Sequence, residues 1–123
     1  MAKITIGTVT LDCETLDTPT ARAILAALPF TTTVNTWGDE VYFSTPLNLE
    51  RETDARELMQ LGDIAFWTEG NSIAIGYGET PISAPGEIRL AAKVNVWARA
   101  LGDVTVLASA KTGDVVEVKL GPK

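Results

Sequence analysis

The chain has 123 residues, 46% of them hydrophobic, and its 16 acidic against 10 basic side chains leave a net charge of −6. That is the length of one domain, here spanning residues 1–123, which buries about two-thirds of its unfolded surface in a core of its own. The negative charge, with no Lys/Arg cluster to offset it, argues against nucleic acid or an anionic membrane as a partner.

Cys13 is the single cysteine and there is no histidine. An intramolecular disulfide, Ser-His-Asp or Cys-His nucleophile pairs and imidazole or thiolate metal sites are all removed; no metal and no cofactor is expected. Met1-Ala2-Lys3 runs straight into an alternating segment without the apolar block of a secretory signal, and no stretch reaches the ~20 apolar residues that span a bilayer. A cytoplasmic protein is expected.

In chain order, Ile4 and Ile6 alternate, and Val9, Leu11 and Cys13 alternate one residue out of phase with them. The slip at Gly7-Thr8 predicts a tight turn or bulge between two strands. Thr18 as cap, Pro19 in the first turn and Ala21, Ile24, Leu25 and Leu28 at helical spacing predict a helix that Pro29 stops.

β-branched residues return over Thr31 to Asn35, Trp37-Gly38-Asp39 reads as a turn, and Glu40-Val41-Tyr42-Phe43 reads as a strand bounded by Pro46. Thr53 or Asp54 is placed to cap a short helical turn through Leu58. Ile64-Ala65-Phe66-Trp67 and Ser72-Ile73-Ala74-Ile75, separated by Thr68-Glu69-Gly70-Asn71, predict a hairpin of core strands.

Gly76 to Lys93, with Pro81 and Pro85, reads as an irregular connection. Val94 to Arg99 alternates again, Val104 to Ala110 predicts a second short helix, and Val116, Val118 and Leu120 predict a last strand. The sum is a mainly β domain of about eight antiparallel strands with one or two short helices, a set that closes into a barrel to remove its edges.

The motifs Asn35-Thr36-Trp37-Gly38-Asp39-Glu40-Val41-Tyr42-Phe43-Ser44-Thr45-Pro46, Gly62-Asp63-Ile64-Ala65-Phe66-Trp67, Gly76-Tyr77-Gly78-Glu79-Thr80-Pro81 and Val94-Asn95-Val96 resemble the small cyclophilin-like proteins of bacteria and archaea. The resemblance covers nearly the whole chain. It implies a closed antiparallel eight-stranded β-barrel capped by helices, a reduced form of the barrel of the cyclophilin prolyl isomerases. Those enzymes use a Phe-His-Arg strand motif whose arginine engages the prolyl amide beside an apolar pocket. The corresponding strand here reads Glu40-Val41-Tyr42-Phe43 and has no arginine; Arg89 and Arg99 are the only arginines of the second half. Related domains also resemble parts of multi-subunit amidohydrolase systems, which implies a protein partner as a further expectation.

The aromatics are the most informative side chains, because such residues line grooves that grip apolar ligands or prolines. Parity along Glu40 to Phe43 puts Glu40 and Tyr42 on one face and Val41 and Phe43 on the other, in the core. Trp37, Glu40, Tyr42, Phe66 and Tyr77 are therefore the candidate ligand-binding residues, for a small molecule or a proline-containing peptide. The competing reading of Trp37 and Phe66 is packing. Cys13, in phase with Val9 and Leu11, reads as a small core residue, and Gly76-Tyr77-Gly78 reads as a turn, having neither the lysine nor the helix of a phosphate loop. Catalytic residues are not identifiable at this level. The leading expectation is a binding module, and the rival is an atypical prolyl isomerase that uses Arg89 or Arg99.

Overall fold

A computed structural model of the protein describes residues 1–121. The out-of-phase alternations at the N-terminus are two strands, β1 (Ala2–Ile6) and β2 (Val9–Thr15), paired so that Ile6 faces Val9 and only Gly7-Thr8 is left to turn. Gly7 has φ +58, a conformation that side chains with a Cβ resist. The helix α1 (Pro19–Ala27) starts where Thr18 Oγ1 accepts from the Ala21 N–H at 3.0 Å, and it buries Thr20, Ala21 and Ile24.

The remaining strands are β3 (Phe30–Thr33), β4 (Asn35–Thr36), β5 (Glu40–Ser44), β6 (Arg56–Met59), β7 (Asp63–Trp67), β8 (Ser72–Gly76), β9 (Ile88–Ala100) and β10 (Val115–Leu120). Single 3-10 helices occupy Thr68–Gly70 and Val104–Ser109. All pairings are antiparallel, in the order β3-β10-β1-β2-β9-β7-β8-β5-β4, with β6 on β9 off that path.

The two ends of the path, β3 and β4, are separated in the chain by Val34 alone. Val34 is buried, donates its N–H to the Asp114 carbonyl at 3.0 Å and accepts from the Gly113 N–H at 2.8 Å. Across the seam the hydroxyls of Thr32 and Ser44 meet at 3.1 Å. The barrel is nearly closed, through one kinked segment.

The described residues thus hold ten strands where eight were expected. The run Thr31 to Asn35 breaks at Val34 because a closing strand must bend between two neighbours. The predicted helical turn from Thr53 to Leu58 is absent: Arg56–Met59 is a strand, with Met59 buried and Leu58 exposed as a two-residue period requires. It is held by β9, whose 13 residues begin at Ile88, so that Ile88 to Lys93 is strand and not irregular connection. Both departures come from one distant pairing, which a local window does not register. No described helix is long and apolar enough to cross a membrane.

Side-chain alternation sorts the apolar residues into two sets. Ile4, Ile6, Phe43, Ile64, Phe66, Ile73, Ile75, Trp97 and their neighbours fill the barrel interior. Met59, Ala65, Ala74, Leu90 and Val94 form a second cluster on the outer side of β7, β8 and β9. If the Val34 seam closes the barrel, Val34→Pro, which removes the donor to Asp114 and orphans that carbonyl, lowers unfolding free energy in a urea titration by about 1–3 kcal/mol. An unchanged midpoint would refute that role.

Candidate functional site

The outer side of the β8-β7 pair is built largely from small residues, between the larger side chains of Tyr42 and Trp67. Ile73 and Ile75 point inward, leaving Ala74 outside, and Ile64 and Phe66 do the same for Ala65. With so little projecting there, the first half of β9 lies close across the sheet, and Leu90 and Val94 pack on Ala65 and Ala74. Gly76, opposite Glu40 in register, completes the fit, since a Cβ there would collide with the Ile88 side chain.

Between this overlying strand and β5 is a pocket of about 200 Å³ lined by Trp37, Glu40, Tyr42, Trp67, Ala74, Leu90, Ala91, Ala92 and Val94. Ala74 lies between the aromatic side and the β9 side. Tyr42 and Trp67 meet edge to face, ring centroids 6.4 Å apart and planes at 88°. Trp67 leaves the end of β7 and lies against Gly70, where any side chain would strike its six-membered ring.

Trp37 is set by the turn between β4 and β5, whose closing bond runs from the Trp37 N–H to the Glu40 carbonyl at 3.0 Å. That turn is clamped by the neighbouring loop: the Asp39 N–H donates to the Glu79 carbonyl at 3.0 Å, and the Tyr77 N–H donates to the Asp39 carbonyl at 2.8 Å.

Among the described residues, Glu40 is the one acidic side chain in the pocket wall. It is 7% exposed, and its Oε1 has no hydrogen-bond partner. Burial without a partner disfavours the charged form, pushing its pKa up to about 7. The other deeply buried carboxylate is treated differently: Asp63 lies 2.8 Å from the Arg99 guanidinium and 3.1 Å from that of Arg56, and accepts the Gln60 N–H at 2.9 Å. Glu52 likewise accepts from the Thr20 N–H and hydroxyl at the start of α1.

Of the five candidate ligand-binding residues, the fold brings Trp37, Glu40 and Tyr42 together at this pocket. Phe66 is fully buried in the barrel interior, and Tyr77 packs against that interior, with burial and then the Asp39 charge raising its phenol pKa. Sequence reasoning passed over Trp67, although the alternation that sends Phe66 inward sends Trp67 outward. It also passed over Leu90, Ala91, Ala92 and Val94, the first three of which fell in the segment read as irregular.

Cys13 is fully buried, and desolvation pushes its thiol up to about 12, so it supplies no thiolate near neutral pH. Arg89 contacts Glu87 at 3.2 Å and Glu57 at 3.4 Å. Neither Arg89 nor Arg99 lines the pocket. Among the described residues no group of three His, Cys, Asp or Glu side chains is arranged to hold a metal.

The chain matches the cyclophilin-like family over residues 1–119 and belongs to that family. Among solved structures it is similar to a hypothetical protein from Archaeoglobus fulgidus, with 35% identity and a TM-score of 0.84 over 98% of this chain and 93% of that one. It is also similar in fold to McbB, solved in complex with tryptophan, at 13% identity and a TM-score of 0.69; all of this chain matches 45% of McbB. No curated protein matches the sequence.

The isolation of Glu40 has a measurable signature. Its carboxyl titrates near 7 in the folded state against 4.5 for the unperturbed group, so folding carries no charge penalty below pH 4.5 and loses stability as pH rises through 7. Glu40→Gln, neutral at every pH, should match the parent at pH 4 and exceed it at pH 8.5 by about 1–3 kcal/mol in chemical denaturation. Equal stability at both pH values would show that the carboxyl is hydrated or paired.

Proposed function

We propose that the protein is a binding module that holds a small, largely apolar ligand in the outer-face pocket. The observation that carries this reading is the convergence of Trp37, Tyr42 and Trp67 with an unpaired carboxyl on one concavity, while the barrel interior is filled by its own side chains. Pockets of this kind, mostly apolar with one or two placed polar groups, are where small molecules bind. The volume of about 200 Å³ lies below the roughly 300–1,000 Å³ typical of drug-sized ligands, which favours a compact molecule over an extended peptide. Family membership supplies the fold, and the function rests on the pocket itself.

The prolyl isomerase reading is weaker. It needs an arginine beside an apolar pocket, and both Arg89 and Arg99 have carboxylate partners away from this one.

Titration with indole, followed by ¹H–¹⁵N NMR, tests the proposal through built-in reporters. The indole N–H signals of Trp37 and Trp67 and the amides of Ala91 and Ala92 should move, whereas the signal of Trp97, buried in the barrel, should stay. Ala74→Leu, which grows a side chain into the pocket, should abolish those movements at a stability cost of about 1–3 kcal/mol. Pocket signals that stay still with indole and with a wider set of small apolar fragments would refute the reading.

A further inference from the structure

We propose that the ligand carries a protonated amine, its N–H donating to the Glu40 carboxylate, its charge held by the aromatic walls and its apolar part lying against β9. This rests on the pocket reading above and specifies the chemistry of the same site.

Three observations carry it. First, the fold provides partners for its other buried or half-buried acids. Asp63 has two guanidiniums and a backbone N–H, its Oδ1 held by Arg99 as an ion pair at 2.8 Å and not by a hydrogen bond, and Glu52 has the Thr20 N–H and hydroxyl, yet Glu40 Oε1 has neither a donor nor a cation among the described residues. A buried acceptor left in that state is costly, and a ligand bringing an N–H relieves the cost on binding. Second, among the described residues no lysine or arginine lines the pocket, which leaves a counter-charge for Glu40 to arrive with the ligand.

Third, Trp37, Tyr42 and Trp67 share the cavity with that carboxylate, and ring faces attract ammonium groups, most strongly where water is displaced. The perpendicular packing of Tyr42 on Trp67 makes the two rings adjoining walls and not a stack. A neutral ligand would use the apolar surface of Leu90, Ala91, Ala92 and Val94 equally well and could donate an N–H or O–H to Glu40, but it would bring no counter-charge and would gain less from the ring faces. An anionic ligand would meet a carboxylate with nothing to offset it.

Benzylamine and benzyl alcohol, nearly equal in size and differing in charge, separate these cases. Each is titrated at pH 8 and low salt, where the Glu40 carboxyl is mostly ionised, against the parent protein and Glu40→Gln, with the Trp37 and Trp67 indole signals as readout. The expected result is that the parent binds benzylamine at least about tenfold more tightly than the alcohol, as one charge-assisted hydrogen bond provides, and that Glu40→Gln loses this preference. Equal affinities in the parent, or a preference for the alcohol, would overturn the amine assignment and leave the pocket standing. An amine preference that persists in Glu40→Gln would overturn the role given to Glu40. Silence with both probes would count against the pocket reading as well.

Discussion

The strict alternation of side chains along β7 and β8 is the constraint on which the rest of the molecule depends. Ile64, Phe66, Ile73 and Ile75 fill the interior, and the same pleat delivers Ala65, Ala74 and Gly76 to the outside. A large inward residue stabilises by area removed from water, on the order of 1.5–3 kcal/mol per side chain. A small outward residue contributes little by itself, but it lets another strand lie close. The overlying half of β9 is the consequence, and the pocket is the space left where that strand does not reach the aromatic side chains of β5 and β7.

Against that frame Glu40 runs counter to stability. A carboxyl placed opposite Gly76 with no donor for Oε1 is a site where the chain forgoes stability, whereas Asp63 shows that the same fold can surround an acid with two arginines. Such exceptions to the packing rules are expected where a ligand, and not the protein, completes the interaction. The turn that carries Trp37 and Asp39 is braced by backbone bonds to Tyr77 and Glu79, so the aromatic wall stands on a supported element.

Asn95 shows how the same strand serves two structural ends. Its side chain accepts from the Glu52 N–H at 2.8 Å and donates to Thr20 Oγ1 at 3.0 Å and to the Glu50 carbonyl at 2.9 Å, tying α1 and the segment before β6 to the middle of β9. The segment Val94-Asn95-Val96, one of the motifs that carry the family resemblance, therefore contributes one residue to the pocket and one to the anchor beneath the helix. A shared motif of this kind reports a fold, because its contacts are largely between elements of the chain itself.

Local signals determined most of the architecture: the phase slip at Gly7-Thr8, the Thr18-Pro19 helix start, the hairpin around Gly70 and the parity of Glu40 to Phe43 are all short-range consequences of backbone geometry. They sufficed for a mainly β barrel and for placing Glu40 and Tyr42 on one outward face; the resemblance of longer motifs supplied the cyclophilin-like family, and of the five residues named as a group Phe66 and Tyr77 lie away from the pocket. Tertiary structure alone decided that the outward face carrying Trp67 is a pocket wall, that Ile88 to Lys93 is a strand, and that Glu40, though on an outward face, is buried without a partner among the described residues. The reason is physical: alternation fixes which face a residue takes, but what covers that face depends on the pairing of β6 with β9 and the packing of β9 over Ala74, contacts between segments far apart in the chain.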